Sequence, residues 1–425
     1  MDIKSLIKLI DGKVLNIPSD FNDLITSFTM DSRRATKGSC FIAVGKGYLY
    51  IDDAFSNGAS IAIIDKDLKL PYKKTIIKVN SIKNAILKII EYIRCKHKYI
   101  PLILITGSVG KTTTKELVYS ILSSKYNVLK NMDNKNNYLG ISDTIFNLDD
   151  SYDFIVLEVG MNHKGEISEL SKVLKPDISI ITNIGTAHIG NLGSKKDILN
   201  AKLEVIDGGG KLIVSNKDRM LRHIKYHNVD MCKDIKIKNI KLKDSLNFKI
   251  IYNKNKYLIN FKIPNISYIR NILLAFKVCT YFNIETHNII NQINSFNGIK
   301  GRMNIIKNDN YTIIDDTYNA SLESIKGSLD YLKRKRKKMV ILGSVKELGP
   351  FEEKIHKQIN KMLRFVKYRN TLLYGYETNI IDGMHFENKN DLCNYLSVLD
   401  LKGYTILIKG SHIMGMDEIV DFLSR

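Results

Sequence analysis

The sequence predicts an α/β protein of three domains. Its 425 residues are 44% hydrophobic and 26% charged, an ordinary globular composition, and a chain of this length forms roughly two to four domains. Apolar runs of strand length alternate with helical patterns along most of the chain. Because the order of these runs changes near residue 98 and again near residue 300, we place the domains at 1–98, 99–300 and 301–425.

The first segment reads as a small α/β unit. Strand-like runs at 40–44, 60–64 and 75–79 precede a helical pattern over 82–94, and the basic stretch 96–98 marks the end of the unit. We therefore predict a small mixed domain before residue 99.

The patterns of residues 99–300 and 301–425 predict parallel sheets. From residue 101 the chain repeats a strand and then a helix, and continuous apolar strands in this order predict a parallel sheet covered on both faces. The middle segment has strands at 102–105, 154–159, 178–182 and 212–214, with helices after Lys111 and over 195–206. A second series begins near Arg302, with strands at 312–315, 339–342, 371–374 and 405–408 and a helix over 322–332.

Charge does not identify a partner. The chain has 65 Lys and Arg against 44 Asp and Glu, a net charge of +21 that would suit an anionic partner. However, lysine is abundant throughout, which indicates a compositional drift of the whole chain. The dense run 333–338 follows a helical pattern, where cations complement the negative end of the helix dipole, so we expect a solvated helix end there.

Cysteine usage and the N-terminus predict a cytoplasmic protein without membrane insertion. The five cysteines are far apart and form no C-x-x-C pair, which is typical of a reducing compartment. The first residues contain no apolar segment followed by a cleavage site, and no run of about 18 apolar residues occurs anywhere.

The segment 102–116, LILITGSVGKTTTKE, predicts a phosphate-binding loop. A buried strand leads through Gly107 and Gly110 into a helix, so backbone N–H groups can turn toward phosphate oxygens at the positive helix end. Lys111 would neutralise the β and γ phosphates, and the Thr112 hydroxyl would hold Mg²⁺. Ile105 occupies the place of the first glycine of the general pattern, so the loop has a shorter form. A glycine turn with a chance Lys-Thr pair is the alternative.

Two further side chains follow strands of the same predicted sheet. Glu158 lies near the carboxyl end of an apolar strand, and His188 follows the next strand. Ligands bind outside the carboxyl ends of parallel strands, and a carboxylate in an apolar strand is costly unless it is paired or binds a cation. We therefore predict a metal ligand at Glu158. For His188 a structural role and a ligand role both stay open.

Taken together these motifs resemble the Mur ligase family across nearly the full chain, and most of all its members that add D-alanyl-D-alanine. The resemblance is carried by the segments 106–116, 136–140, 158–163, 165–167, 182–188, 201–204, 301–302, 315–320 and 409–411.

The resemblance implies an ATP-dependent amide ligase of peptidoglycan precursor synthesis. It implies a uridine-nucleotide-binding N-terminal domain, a central P-loop ATPase domain and a Rossmann-like C-terminal domain for the incoming amino compound. ATP would phosphorylate the carboxylate of UDP-N-acetylmuramoyl-tripeptide to an acyl phosphate, and the amine of D-alanyl-D-alanine would then attack. The expected cofactors are ATP and Mg²⁺ at two sites, and the expected state is a monomer.

The resemblance also implies roles for individual residues. ATP would contact Gly107, Ser108, Val109, Gly110, Lys111, Thr112, Thr113, Asn137, Asn271, Arg302 and Asp316. The metal ligands would be Thr112, Glu158, His188 and a carbamylated Lys202, and the substrates would contact Ser32, Arg33, Asn319 and Lys409. Lys111, Lys202, His188 and Glu158 would be catalytic. From the sequence alone Lys202 is an exposed helix lysine. We expect domain closure, because Arg302 must travel to the nucleotide.

Departures from the family pattern leave the acceptor open. They occur at 50–55, 265–268, 321–322 and Ser344, around substrate recognition rather than phosphoryl transfer. A related ligase with another acceptor therefore remains an alternative, as does a folylpolyglutamate-type ligase, which the Asn136-Asn137 pair and the 315–320 segment oppose. A nucleic-acid-associated ATPase would use the charge, but the base-stacking aromatic motifs of such proteins are missing, so we expect no nucleic-acid partner.

Overall fold

A computed structural model describes residues 1–16, 24–67, 74–132 and 135–424. Each of the three predicted segments contains a sheet with parallel strands, and the middle segment contains a second sheet besides. Apolar strands and helix faces form the interior, as expected for layered α/β domains.

The described strands of the N-terminal segment form a five-stranded sheet in the order β1-β5-β4-β3-β2. β1 is antiparallel to β5, and the other neighbours are parallel. The elements are α1 (Ile3–Ile10), β1 (Lys13–Asn16), β2 (Ser27–Thr29), β3 (Ser39–Ile42), α2 (Ile51–Ser56), β4 (Ile61–Ile64), β5 (Thr75–Lys78) and α3 (Ile82–Lys96). The predicted strands and helix therefore occur where the apolar runs placed them.

Helix α3 joins this segment to the next. Ser81 caps its N-terminus by accepting a hydrogen bond from the Asn84 N–H group. Near its other end, the buried Arg94 donates from Nε to the carbonyl oxygen of Leu174 at 3.0 Å. The first domain is thus held against the middle one by a buried hydrogen bond.

The middle segment forms the predicted parallel sheet, with the strand order β11-β10-β9-β6-β8-β7. Strands β6 and β8 are buried along their whole length, as a sheet covered on both faces requires. The elements are β6 (Leu102–Thr106), α4 (Lys111–Leu122), β7 (Val128–Lys130), α5 (Tyr138–Ile145), β8 (Phe154–Glu158), α6 (Glu166–Leu174), β9 (Ile178–Ile181), α7 (Ile189–Leu192), α8 (Lys195–Leu203), β10 (Lys211–Val214) and β11 (Val229–Asp230).

A three-stranded antiparallel sheet follows, which the sequence analysis did not predict. It consists of β12 (Lys236–Leu242), β13 (Leu246–Tyr252) and β14 (Asn255–Phe261), and helices α9 (Tyr268–Tyr281) and α10 (Thr286–Ser295) come after it. In β13 the buried residues are Leu246, Phe248 and Ile250, which is a period of two. Asn247 and Lys249 between these apolar positions complete an apolar–polar alternation, which is the signal that could have predicted this strand.

The C-terminal segment forms a sheet in the order β15-β16-β20-β17-β18-β19, parallel except for the edge strand β15. The elements are β15 (Asn304–Lys307), β16 (Thr312–Asp315), α11 (Leu322–Leu332), β17 (Lys337–Gly343), α12 (Glu352–Leu363), β18 (Thr371–Tyr374), β19 (Met384–Phe386), α13 (Lys389–Ser397), β20 (Tyr404–Lys409) and α14 (Asp417–Leu423). The predicted strands and the helix at 322–332 are all present.

Only the first part of the basic run 333–338 lies at a helix end. Lys333 follows α11, and Lys335 forms an ion pair with Asp244 at 2.8 Å. Lys337 and Lys338, however, already belong to β17. The prediction of a solvated helix terminus therefore holds for the start of the run and is wrong for its end, because strand pairing continues through the last two lysines.

Two structural findings concern the helices and the cysteines of the chain. Among the helices described, none combines the length and apolar character needed to span a bilayer. The five cysteines lie in described residues, and none of them forms a disulfide bond.

Candidate active site

The phosphate loop has the strand–turn–helix geometry that its sequence predicts. Gly107 (φ 145°) and Gly110 (φ 85°) have backbone conformations that residues with a side chain rarely adopt. A Cβ atom at Gly107 would lie 1.8 Å from Thr182 Oγ1, and one at Gly110 would lie 2.6 Å from Asn271 Oδ1. Both positions therefore require glycine.

The loop is tied to the segment that follows β9. The Val109 N–H group donates to Asn183 Oδ1 at 2.8 Å, and the Thr182 hydroxyl donates to the Val109 carbonyl oxygen at 2.7 Å. Lys111 Nζ donates back to the carbonyl oxygen of Gly107 at 3.0 Å. The loop is thus held in shape before any ligand binds.

Glu158 faces this loop from the end of β8. It is 2% exposed, and its Oε2 atom accepts a hydrogen bond from the Thr112 hydroxyl at 2.7 Å. Its Oε1 atom accepts one from Asn136 Nδ2 at 2.9 Å. The sequence analysis gave Asn136 no role, although it noted the Asn136-Asn137 pair. A buried carboxylate thus lies beside the loop threonine, held by two neutral donors.

Arg302 reaches the same point from the C-terminal segment. Its Nη2 atom donates to Thr112 Oγ1 at 2.8 Å, and its guanidinium carbon lies 3.8 Å from the centre of the Tyr318 ring. Its Nε atom is buried and has no hydrogen-bond partner among the described residues. In this structure the Arg302 side chain already reaches the loop with a donor to spare, and domain closure stays a prediction.

His188 is paired with a residue that sequence reasoning missed. Its Nδ1 atom lies 2.8 Å from Glu347 Oε2, in an ion pair that is not aligned as a hydrogen bond. This pair lowers the pKa of Glu347, although burial opposes the shift. Both residues have left-handed backbones, with φ values of 60° and 64°, and each costs about 1 kcal/mol. Such strain occurs at sites where side-chain placement matters.

Lys202 is buried, which contradicts the reading of an exposed helix lysine. It is 1% exposed on helix α8. Burial, and after it the positive charge of Lys111, lowers the pKa of Lys202 well below its ordinary value, while Glu158 opposes the shift. Among the described residues its Nζ atom has no recorded hydrogen bond or ion pair. The Lys202 amine thus lies close enough to Lys111 and Glu158 for both charges to act on it.

Most of the predicted site residues line one cavity of 720 Å³. Its walls come from the middle and the C-terminal segments, so the site lies between them. The predicted residues that line it are Ser108, Val109, Gly110, Lys111, Thr112, Asn137, Glu158, His188, Arg302 and Asn319. Asn271 instead lines a second cavity of 870 Å³, which shares Val109 and Gly110 with the first.

Other predicted residues lie behind the cavity wall. Thr113 is buried in helix α4. Lys409 Nζ donates to Asp316 Oδ2 at 2.6 Å and to the carbonyl oxygen of Asn319 at 2.9 Å, and both charged groups are buried. A buried lysine needs such partners, since an unpaired charge inside a protein is costly. In this structure the two residues hold the segment around Asn319, and their contacts with substrate and nucleotide stay predictions.

Ser32 and Arg33 are not at the cavity either. They belong to a short 3-10 turn of the first domain, where Arg33 is paired with Asp31 at 2.7 Å and Ser32 is buried. The neighbouring Arg34 donates to Asp143 at 2.8 Å on helix α5, and that helix begins at the cavity residue Asn137. The turn is therefore joined through Arg34 to a helix whose N-terminus lies at the cavity.

The middle and C-terminal segments meet through backbone contact at Gly190. Its N–H group donates to the carbonyl oxygen of Glu347 at 3.1 Å. Nearby, Glu323 Oε2 accepts hydrogen bonds from the N–H group of Thr186 at 3.1 Å and from its hydroxyl at 2.8 Å. This contact places Glu347 against His188.

The Gly190→Ala variant is expected to lower kcat/KM about 100-fold without unfolding the protein, since small misplacements of reacting groups cost this much. A Cβ atom would lie 2.7 Å from both Glu347 O and Gly349 N, which are backbone atoms that cannot move aside. Steady-state kinetics and thermal unfolding measure the effect. Gly47→Ala is the matched control, because its Cβ would lie 3.6 Å from Ala43 Cβ, an ordinary contact. Equal activity of both variants would contradict the docking contact.

The site combines a glycine loop that carries a lysine and a threonine, a buried carboxylate at the next strand end, and an arginine from another domain. These features define a P-loop enzyme that acts on a nucleoside triphosphate between domains. Residues 105–279 match the Mur ligase middle domain, and residues 301–412 match the Mur ligase glutamate ligase domain. The chain belongs to the Mur ligase family.

Individual relatives show which Mur ligases this chain is similar to. The UDP-N-acetylmuramoyl-tripeptide–D-alanyl-D-alanine ligase of Rickettsia prowazekii is 31% identical over 92% of this chain and 94% of its own. The ligase of the same name from Bacillus subtilis is 28% identical over 98% of this chain and 97% of its own. A crystal structure of MurF from Acinetobacter baumannii has a TM-score of 0.90 at 25% identity and covers 99% of this chain and 98% of its own. The three-domain α/β prediction is therefore confirmed.

Proposed function

We propose that the protein is an ATP-dependent ligase that joins D-alanyl-D-alanine to UDP-N-acetylmuramoyl-tripeptide. The observation that carries this proposal is the cavity in which Lys111, Glu158 and the cross-domain Arg302 come together, in a chain related to ligases of that name over nearly its full length. The domain limits at 98 and 300 and the residue roles below are part of the proposal.

The first step moves the γ-phosphoryl group of ATP to the substrate carboxylate. A carboxylate is a poor electrophile, and the phosphoryl group gives it the leaving group that it lacks. Lys111 and the loop N–H groups hold the β and γ phosphates, and the helix N-terminus adds positive potential. Arg302 has a free buried donor for the transferred group. Asn271, beside Gly110 in the second cavity, is where we propose that the nucleoside binds.

The residues around Thr112 fit Mg²⁺. The part of the chain that the structure describes contains no group of three or more acidic, histidine or cysteine side chains that could hold a metal ion by themselves. Mg²⁺ commonly uses one or two carboxylates together with substrate phosphates and waters, and the Thr112–Glu158 contact of 2.7 Å offers such a pair. His188, Glu158 and a carbamylated Lys202 would hold a second Mg²⁺ ion. Bound Mg²⁺ would offset the charge that develops during phosphoryl transfer.

We propose that Lys202 is carbamylated. Burial and the charge of Lys111 lower the pKa of its amine, which favours the neutral form, and a neutral amine adds carbon dioxide with loss of one proton. The product is an anionic oxygen ligand in place of a cation. This explains why a buried lysine lies near Glu158 without a protein partner.

The second step is attack by the amine of the acceptor. The nitrogen of the neutral amine forms a bond to the carbonyl carbon of the acyl phosphate, and a tetrahedral intermediate forms. Phosphate then leaves with the bonding electrons, and the nitrogen loses one proton as the amide forms. The acceptor enters from the side of the cavity built by the C-terminal segment, where Glu347 meets His188. We propose a monomer that works in the cytoplasm, where ATP is present.

The test is product formation from ATP, Mg²⁺, D-alanyl-D-alanine and UDP-N-acetylmuramoyl-tripeptide, with the tripeptide ending in lysine or in diaminopimelate. Phosphate and the pentapeptide product should appear only when all components are present. Single amino acids and other dipeptides, offered as acceptors, test the alternative of a related ligase. A product with one of these and none with D-alanyl-D-alanine would overturn the proposal.

A further inference from the structure

The incoming dipeptide is a zwitterion, and its charges require partners in the cavity. This inference rests on the proposed function. Three lysine or arginine side chains of the described residues line the 720 Å³ cavity, namely Lys111, Arg302 and Lys346. The first two lie at the phosphate loop, with Lys111 Nζ on Gly107 O and Arg302 Nη2 on Thr112 Oγ1. Lys346 is therefore the cation that phosphoryl transfer leaves unused.

Lys346 is held in place by the C-terminal segment. It follows β17, and its N–H group donates to Ser411 Oγ at 2.8 Å. Its Nζ atom forms an ion pair with Glu377, whose side chain is 14% exposed against 37% for the lysine. Burial alone would raise the pKa of Glu377, but hydrogen bonds led by that from Lys346 hold the pKa at about 2. An ammonium group has three donors, so one contact with Glu377 leaves others for a ligand.

Glu347, the next residue, points to the other side of the cavity. It contacts His188 of the middle segment, whereas Lys346 contacts Glu377 of the C-terminal segment. The negative charge of Glu347 also acts on Lys111 at the phosphate loop. Adjacent residues thus present opposite charges in diverging directions, with the anion on the side where the acyl phosphate would form.

We propose that Lys346 binds the carboxylate of the incoming dipeptide and Glu347 binds its ammonium group. This orientation brings the nitrogen to the reacting carbonyl carbon, and the ammonium group gives one proton to the Glu347 carboxylate before it attacks as a neutral amine. In this proposal Lys346 and Glu347 take the role of substrate contact that the family resemblance implied for Lys409. The ammonium group of Lys409 is buried, and Asp316 and Asn319 accept its hydrogen bonds. The pair accordingly selects acceptors with a free C-terminal carboxylate.

The test compares D-alanyl-D-alanine with D-alanyl-D-alaninamide, which lacks the negative charge. In the wild-type enzyme the amide should have a KM about 10- to 100-fold higher, the usual effect of a charge-assisted hydrogen bond. The Lys346→Met/Glu377→Gln double variant, which leaves no buried charge unpaired, should raise the KM for D-alanyl-D-alanine by the same factor and leave that for the amide unchanged. The KM values for ATP and the UDP-tripeptide should stay constant.

Controls separate the outcomes. Lys346→Arg should restore most of the affinity for the carboxylate, and Lys389→Met, which breaks a comparable ion pair with Glu418, should leave every KM unchanged. Glu347→Gln should raise the KM of both acceptors about tenfold. A double variant that still prefers the dipeptide over its amide would overturn the inference while leaving the proposed function intact. Absence of product from wild-type enzyme would instead refute the function.

Discussion

The Lys202→Met variant is expected to lose about 100- to 1000-fold in kcat while keeping its fold, the usual cost of removing one group that stabilises developing charge. Methionine nearly matches the length of the buried side chain but cannot add carbon dioxide. The loss should appear in phosphate release with all substrates present. Thermal unfolding should show a transition close to that of the wild type, because no ion pair of Lys202 is lost.

Chemical rescue distinguishes a carbamate from a role in packing. Lys202→Ala leaves space beside Glu158, and a short-chain carboxylic acid added to this variant should restore part of the activity by supplying the missing oxygen ligand. Lys196→Met, on an exposed position of the same helix, is the matched control and should retain activity. Full activity in both Lys202 variants would exclude the carbamate.

The Lys111→Ala variant is expected to lose at least about 1000-fold in kcat/KM, because the loop then lacks the cation that neutralises the β and γ phosphates. The loop itself should keep its shape, since contacts with Thr182 and Asn183 hold it independently of the lysine side chain. Phosphate release measures the chemical step, and binding of a fluorescent ATP analogue measures affinity.

The control for this variant is Lys125→Ala, which removes an exposed lysine just beyond the same helix. It should have wild-type kinetics. If Lys111→Ala retained more than about a tenth of the wild-type kcat/KM, Lys111 would have no part in phosphoryl transfer and the assignment of the loop would be wrong.

The loop and Glu158 could be predicted because their signals are local. Gly107, Gly110 and Lys111 are close together between a strand and a helix, and a strand end fixes where Glu158 points. The same reasoning applied to Lys409, at the end of the buried strand β20, would have predicted a buried pair, because an unpaired charge there is costly.

The burial of Lys202 also had a signal in the sequence. Ile198, Ala201 and Lys202 are spaced as i, i+3 and i+4, which places them on one face of helix α8, and all of them are buried. The surplus of lysine in the whole chain made this position look ordinary. Glu347 had no comparable signal, since its contact with His188 joins two loops far apart in sequence and depends on how the domains dock.

The measurement that tests the account most directly is a crystal structure of the protein with a non-hydrolysable ATP analogue, Mg²⁺ and UDP-N-acetylmuramoyl-tripeptide. We predict that the triphosphate lies on the loop at Lys111, with Mg²⁺ at Thr112 and Glu158 and a carboxylate group attached to Lys202. The tripeptide carboxyl group should lie between the γ phosphate and Glu347. A nucleotide bound outside this cavity, or an unmodified Lys202 remote from the phosphates, would contradict the account.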